Sequence, residues 1–445
     1  MRSDDVIRSD GAPAGESGNR SPGPAGSYRE ILGCRRARHP FLFSLLAKLP
    51  VSTVPLGMMM ATVQQRDSYS LAGLVSGSYA VGTAVGGPNW GRALDRYGQS
   101  RPIALASTLC ATLIAVMTGL IVTGAPAWVL VAGAALTGGT FPPVSAAMRA
   151  GWRRVFPEER HRHAGYALDG ASGAVLFIIG PLTVSLAMVF VKAAAALVLV
   201  SLALLVGGLG YSRTWVARGP RTPAGAGPAG PGPGPRRMTG GLFVLLSGMT
   251  TFTAGMGAYE VTLAACAEPV LGDEALVGML FAATSIGSMI GGIWYGARHI
   301  AMPLPRCLPL ALGVLALGWA PVPLVVSWDG ASPALLLGVL ALNGLAIGPV
   351  FLVFQALTDA LVPPDRRNEA QGWLAAATTT GNATGTACAG VLTDLGGAPW
   401  SATATLAVLV VASLLTARMQ GRLQATAERF RITTRVRVAG AVETT

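Results

Sequence analysis

The chain has 445 residues, of which 51% are hydrophobic and only 12% are charged, and its formal net charge is +12. So few charged residues cannot cover the surface of a soluble protein of this length, which excludes a water-soluble globular enzyme. The basic residues lie beside long apolar runs rather than on one soluble face, so they do not indicate a nucleic-acid-binding protein.

Twelve apolar stretches reach the ~20 residues that a membrane-spanning helix needs. A bilayer offers the backbone no hydrogen-bond partners, so these stretches should be helical, and alternating strands of the β-barrel type are not found. We therefore predict an all-α polytopic membrane protein. Its spans 1 to 12 are predicted at 41–63, 70–90, 102–123, 127–149, 165–188, 191–211, 241–264, 275–296, 303–326, 332–356, 370–392 and 398–418.

Three polar segments divide the chain into two halves. Residues 1–39 are rich in Gly, Pro, Ser and Arg and have no cleavable signal, which predicts a disordered cytoplasmic tail. Residues 212–239 form a Gly/Pro/Arg-rich cytoplasmic linker, and residues 419–445 a basic cytoplasmic tail. The six-helix halves are then 40–211 and 240–418.

The basic residues predict the orientation. With the N-terminus in the cytoplasm, thirty of the 33 basic residues fall in the tails or in turns on that side. This is the positive-inside pattern, and it places both termini in the cytoplasm of a multi-pass protein of the bacterial cytoplasmic membrane. Only Lys48 and Lys192 are lysines, a bias typical of a high-GC genome of the actinobacterial type.

The two halves repeat each other in sequence at an offset of 205 or 206 residues. Three pairs of Gly- or Pro-containing motifs match in order, which indicates a parallel six-plus-six repeat. The matching pairs are 82–91 with 287–296, 138–144 with 344–350, and 157–160 with 363–366.

The turn after span 2 contains the most specific local signal, Gly91-Arg-Ala-Leu-Asp95-Arg96-Tyr97-Gly98-Gln-Ser-Arg101. This run resembles the signature loop of the major facilitator superfamily, Gly-x-Leu-(Ala/Ser)-Asp-Arg-(Phe/Tyr)-Gly-Arg-Arg. Leu94 is displaced by one place from the usual leucine, and Gln99-Ser100 replace the usual basic pair, with Arg101 just after it. With the spans and the repeat, the resemblance extends over about residues 40–420.

The resemblance implies a twelve-helix fold of two pseudo-symmetric six-helix bundles that work by alternating access. It also implies that Asp95 contacts the start of span 11 and latches the outward-facing state, with Gly91, Arg96, Gly98 and Arg101 as further gating residues. The alternative is a plain basic turn in which glycines allow a tight reversal of the chain.

Ionisable residues inside spans are costly and are therefore functional candidates. The resemblance implies that span 7 lines the central cavity. Glu260, next to Tyr259 in this span, could bind a proton or a cationic substrate there, or could stay hydrated near the interface. Lys48 could be a substrate counter-ion, could pair with an acid, or could extend its ammonium to the interface. Asp169 and Arg149 could pair as a cytoplasmic gate.

The remaining motifs favour packing over chemistry. Gly170-x-Ser172-Gly173 matches a protease nucleophile pattern, but the histidines all fall in tails or turns. Gly180-Pro181 predicts a proline bend. Met58-Met59-Met60 could form an adaptable wall for varied ligands, but lipid-facing packing is favoured. Neither lysine lies in a Walker-type motif, so the chain is not an ATP-driven pump, and it contains no filter-like loop of a channel.

The sequence therefore predicts a secondary active transporter and not an enzyme. The expected activity is proton-coupled efflux of a small molecule, and the alternative is proton-coupled nutrient uptake. An intramembrane protease or a channel is less favoured than either. The expected partners are the substrate, protons and the lipid bilayer. We expect a monomer without cofactor, metal or nucleic acid.

Overall fold

The fold is all-helical in the residues that the structure, a computed structural model, describes: 33, 35–156, 159–219, 240–296, 302–328, 330, 332–362 and 367–425. Spans 1 to 6 are formed by Arg35–Lys48 with Pro50–Arg66, Tyr69–Tyr97, Ser100–Val122, Ala127–Gly139 with Val144–Val155, Glu159–Phe190, and Ala193–Arg213. A short helix, Trp215–Arg218, follows.

The second half repeats this order. Spans 7 to 10 are formed by Gly240–Leu271, Val277–Gly296, Leu304–Trp319 with Pro321–Val326, and Pro333–Leu361. A 3-10 turn, Glu274–Leu276, precedes span 8. Spans 11 and 12 share the helical stretch Arg367–Arg418, which Gly396 and Gly397 divide at non-helical dihedral angles.

Within the described part of the chain, nine helices are long and apolar enough to cross a membrane, and one of them, Trp373–Arg418, covers spans 11 and 12 together. Span 5 contributes a shorter apolar stretch, Val175–Phe190. The predicted all-α polytopic fold is confirmed.

Proline and glycine explain where the helices deviate from the predicted spans. Span 4 was predicted as one helix over 127–149, but it breaks at residues 140–143, where Pro142 and Pro143 provide no backbone N–H. Span 1 is interrupted before Pro50 for the same reason. The ends also differ from prediction, because span 1 begins at Arg35 inside the predicted 1–39 tail, and the helix Trp215–Arg218 lies inside the predicted 212–239 linker.

The repeated glycines have a packing role that the structure makes clear. Gly82 and Gly86 of span 2 face the backbone of span 4 at Ala135 and Gly139, so closely that a Cβ would collide with carbonyl oxygens. In the second half, Gly287 and Gly291 of span 8 meet span 10 in the same way. The sequence repeat therefore records two equivalent close helix crossings.

The three methionines of span 1 correct a further expectation. Met58, Met59 and Met60 are 0%, 2% and 0% exposed, so they are core residues and not lipid-facing ones. A flexible thioether side chain fills irregular space between crossing helices, which explains three in succession at the centre of a kinked span.

Candidate functional site

Lys48 and Asp169 form a buried ion pair between spans 1 and 5. The Lys48 Nζ atom contacts Asp169 Oδ1, and the two side chains are only 6% and 10% exposed. Lys48 ends the first helix of span 1, directly before the break at Pro50. A charge at this depth is tolerated because its partner neutralises it, so neither residue could be removed alone without leaving an unpaired buried charge.

Close packing next to this pair fixes its geometry. The Ser52 hydroxyl donates to the backbone oxygen of Leu176 at 2.7 Å. Gly180 lies directly against Ser52, where any side chain would collide with it. The Gly180-Pro181 pair therefore provides a close crossing of spans 1 and 5 in addition to a proline within the helix.

Arg149 does not pair with Asp169, contrary to the sequence-based expectation. Its side chain is exposed, and its described hydrogen bond runs from Nε to the backbone oxygen of Ser145, one turn earlier at 3.4 Å. Arg149 lies on the second helix of span 4, beyond the break at Pro142-Pro143, whereas Asp169 faces span 1. Lys48 therefore occupies the place that was predicted for Arg149.

Glu260 and Tyr259 are adjacent in span 7 but contact different helices. The side chain of Asn382 in span 11 lies next to the Glu260 carboxylate. The hydroxyl groups of Tyr259 and Thr284 form a hydrogen bond of 2.8 Å between their oxygen atoms. The centroid of the Tyr259 ring lies 4.2 Å from that of the Trp319 ring. Tyr259, 2% exposed, therefore anchors span 7 on spans 8 and 9 and leaves Glu260 directed at span 11.

Gln99 stabilises the signature loop, although in the sequence it stands only as a departure from the family pattern. Gln99 is buried, its Nε2 donates to the backbone oxygen of Ala147 at 3.3 Å, and its Oε1 accepts from the hydroxyl of Tyr211 at 3.3 Å. It therefore ties the turn to spans 4 and 6. Its only sequence signal was an uncharged residue where the family has a basic one.

The other predicted residues of this loop lie on its outer surface. Gly98 has φ +80°, which favours glycine, and ends span 2. Arg96 is exposed with its guanidinium 5.3 Å from the ring centre of Tyr97, and Arg101 is exposed at the start of span 3. Gly91 lies within span 2 with no neighbouring atom within 4 Å of a Cβ. The Asp95 side chain lies outside the described residues, so its predicted contact stays a prediction.

The two halves meet at the end of the molecule opposite to this loop. A Cβ on Gly73 would lie 2.5 Å from the backbone oxygen of Thr386, and one on Gly77 would lie 3.0 Å from that of Ala383. Beside this crossing of spans 2 and 11, the Gly278 amide of span 8 donates to Ser185 Oγ of span 5 at 2.5 Å. Glycine and small hydroxyl residues thus close this end by direct helix contact, and we call it the closed end.

Asp394 caps the closed end, a role that the sequence did not indicate. Its carboxylate accepts hydrogen bonds from Tyr69 N at 2.7 Å, Ser70 N at 2.9 Å and Ser68 Oγ at 3.0 Å. A carboxylate from the end of span 11 therefore satisfies the unpaired amides at the start of span 2, where the helix dipole is positive.

The Glu260 site is continuous with the closed end. Thr386, which meets Gly73, donates its hydroxyl to the backbone oxygen of Asn382 at 2.7 Å, and the Asn382 side chain lies next to Glu260. Gly257, one turn before Glu260, packs directly on Asn382 and Thr386. The carboxylate and the contact between the halves therefore share one segment of span 11.

Comparisons with known proteins agree with this architecture. The sequence profile described as Major Facilitator Superfamily matches residues 41–328 and 241–437. No curated protein matches the chain significantly.

Among solved structures, the chain is similar to a bacterial homologue of the human lysosomal transporter Spinster in an inward-facing and unoccupied conformation. Identity is 14% and the TM-score 0.67, over 88% of this chain and 98% of the other. It is also similar to the peptide transporter POT in complex with sulfate, at 14% identity and TM-score 0.67, over 87% and 95% of the chains. A third similar structure is a bacterial homologue of the iron transporter ferroportin in an inward-facing state. Identity is 15% and the TM-score 0.64, over 88% of this chain and 98% of the other.

These likenesses are low in identity and show the fold, whereas the profile match covers most of the sequence. The chain is accordingly an integral, multi-pass membrane transporter and not an enzyme, and it belongs to the major facilitator superfamily.

Proposed function

We propose that the protein exports a small molecule from a bacterial cell in exchange for protons. It would act as a monomer in the cytoplasmic membrane, with both termini and the 212–239 linker in the cytoplasm and with 40–211 and 240–418 as its two moving halves. The substrate class that we favour is a hydrophobic or cationic small molecule, because the span interiors are apolar and Glu260 offers a carboxylate.

The observation that carries this proposal is the link from Glu260 through Asn382 to the closed end. A carboxylate inside a span can hold a proton in one state of the cycle and a cationic substrate in another. Because Asn382 and Thr386 lie on the same segment of span 11, occupancy of Glu260 can change how span 11 packs on span 2. Coupling in a transporter needs such a shared element between a binding group and a gate.

We place the closed end at the outer face, so that the halves would be in contact on the outer side in the state described here. The basic turns support this orientation, since the arginines of the signature loop lie at the opposite end from Asp394. In this state Lys48 and Asp169 neutralise each other inside the first half, which leaves Glu260 as the carboxylate that we assign to coupling.

The test is substrate profiling in inside-out membrane vesicles with an imposed pH gradient, acidic inside. Fluorescent lipophilic cations are the first probe class, and sugars and nucleosides serve as probes for uptake. We expect accumulation of a lipophilic cation that collapses when a protonophore removes the gradient. Accumulation of a nutrient in right-side-out vesicles instead would support the uptake alternative, and flux without saturation would contradict a transporter mechanism.

A further inference from the structure

A groove outside the transport pathway lies between the start of span 1 and the end of span 6. It has a volume of about 890 Å³. Its lining combines basic and apolar side chains with the residues that join span 6 to the following short helix. The lining includes Arg36, Phe43, Leu209, Gly210, Arg213 and Trp215.

The shape of the groove follows from two glycines of span 6. Gly207 packs against the backbone of span 1, where a Cβ would lie 2.5 Å from the amide nitrogen of Ala47. One turn nearer the end of the span, a Cβ on Gly210 would collide with the ring of Phe43, so the ring packs directly on this glycine and forms part of the groove wall. The helices thus touch at Gly207 and leave a recess above Phe43.

Trp215 closes the mouth of the groove on one side. Its indole Nε1 donates to the backbone oxygen of Arg36 at 3.0 Å, which fixes the helix Trp215–Arg218 on the start of span 1. The ring remains 44% exposed, so its face is available to a ligand. An indole at this depth is typical of the membrane interface, where its ring is apolar and its N–H is polar.

Charge is concentrated at the mouth, and apolar surface follows below. Arg36 and Arg213 are exposed there together with His39, and among the described residues no carboxylate forms an ion pair with either arginine. Leu205 and Val206, also in the lining, lie roughly 10 to 12 Å deeper than Arg213 along span 6, since a helix rises 1.5 Å per residue. Val206 is 56% exposed, so the apolar wall is open to the hydrocarbon of the bilayer.

We propose that this groove binds an anionic glycerophospholipid. The two guanidinium groups would hold its headgroup phosphate, and one acyl chain would lie along Leu209 and Val206. Guanidinium groups bind phosphate oxygens through paired, charge-assisted hydrogen bonds, and two of them without a described acidic partner favour a lipid of net negative charge over a zwitterionic one. This site is independent of the proposed transport function, and under the proposed topology it belongs to the cytoplasmic leaflet.

The test is native mass spectrometry of the full-length protein in detergent, titrated with dioleoyl phosphatidylglycerol or dioleoyl phosphatidylcholine. The double variant Arg36→Gln/Arg213→Gln removes the phosphate contacts. Arg306→Gln/Arg418→Gln is the matched control, because it removes two exposed arginines at the same end of the second half. Val206→Trp fills the groove and leaves its arginines in place.

We expect wild-type protein to retain one phosphatidylglycerol molecule in preference to phosphatidylcholine. The ratio of bound phosphatidylglycerol to bound phosphatidylcholine should fall by about 30-fold in Arg36→Gln/Arg213→Gln, since each basic residue near the surface contributes roughly fivefold to the affinity for an anionic lipid. It should be kept by the control pair and lost in Val206→Trp. Equal retention of both lipids, equal losses in the two arginine pairs, or displacement of the lipid by glycerol 3-phosphate at the same concentration would overturn the proposal.

Discussion

Lys48 and Asp169 show how burial selects partners among ionisable residues. Both were recognised from sequence as charges inside spans, yet Lys48 was given an open choice of partners and Asp169 was assigned to Arg149. The choice depends on the rotation of spans 1 and 5, which Ser52 and Gly180 fix by direct contact. Hydropathy does not indicate how a helix is rotated about its axis. The charged residues inside the spans could therefore be predicted, but the pairing of Lys48 with Asp169 could not.

Asp169→Asn should destabilise the protein strongly, because it leaves the Lys48 ammonium buried without a counter-charge. Removing one partner of a buried pair costs about 3–5 kcal/mol, whereas replacing both by apolar residues is often close to neutral. We therefore expect Lys48→Met/Asp169→Leu to recover most of the loss. Thermal unfolding of the purified protein, followed by intrinsic fluorescence, measures both variants.

Arg149→Gln is the control for this experiment, since Arg149 is exposed and bonds only within its own helix among the described contacts. It should leave the unfolding temperature nearly unchanged. If the effects of Lys48→Met and Asp169→Leu simply added in the double variant, the two residues would not interact and the ion pair would be wrong.

At the scale of helices, the contact between spans 2 and 11 depends on the absence of side chains at Gly73 and Gly77. A Cβ on Gly73 would lie 2.5 Å from a backbone oxygen of span 11, which cannot move as a side chain can. Gly73→Val should therefore separate the helices at the closed end and shift the population towards a state open at that end.

Spin labels at Gln65→Cys and Trp400→Cys, in a background without the native cysteines, report this separation, since both positions are exposed at the closed end. We expect Gly73→Val to move the distance distribution to longer values. Gly87→Val is the matched control, because a Cβ on Gly87 of the same span meets no atom within 4 Å. Identical distributions in the two variants would exclude a gating role for the Gly73 contact.

Asp394→Ala should also weaken the contact between the halves at the closed end, through loss of a helix cap rather than through a steric clash. The change removes the carboxylate that accepts from Tyr69 N and Ser70 N, and the loss of a helix cap costs about 0.5–2 kcal/mol. The same labels should show a larger population of the longer distance.

Asp273→Ala is the control for Asp394→Ala, since Asp273 caps only the nearby Ala275 amide at 2.8 Å within the second half. If Asp273→Ala opened the closed end as much as Asp394→Ala, the cap between the halves would not be the cause.

The spans themselves could be predicted because their existence depends on length and hydropathy, and their interruptions follow from local residues such as Pro142 and Gly397. The sequence repeat identified equivalent glycine motifs in the two halves. Only the structure shows that Gly82 faces span 4 and that Gly287 faces span 10. Asp394 could not be predicted as a cap, because its partner segment lies more than 300 residues earlier in the chain.

At the scale of the molecule, one end joins the two halves through spans 2, 5, 8 and 11. Asn382, the neighbour of Glu260, lies one helical turn from Thr386 in that contact. Alternating access requires this contact to break and re-form while the substrate remains bound. A carboxylate whose partner lies on the moving helix can make that step depend on protonation. Glu260 was predicted from sequence as an acid inside a span, but its proximity to the gate through Asn382 was not.

Transport by the Glu260→Gln variant tests this central claim most directly. Uptake of a lipophilic cation into inside-out vesicles, with an imposed pH gradient, should be lost, because glutamine keeps the size and the hydrogen-bonding capacity but cannot exchange a proton. Glu268→Gln, the same change at an exposed position of the same span, should transport normally. Gradient-driven uptake by Glu260→Gln equal to that of the wild type, at equal amounts of folded protein in the membrane, would contradict the account.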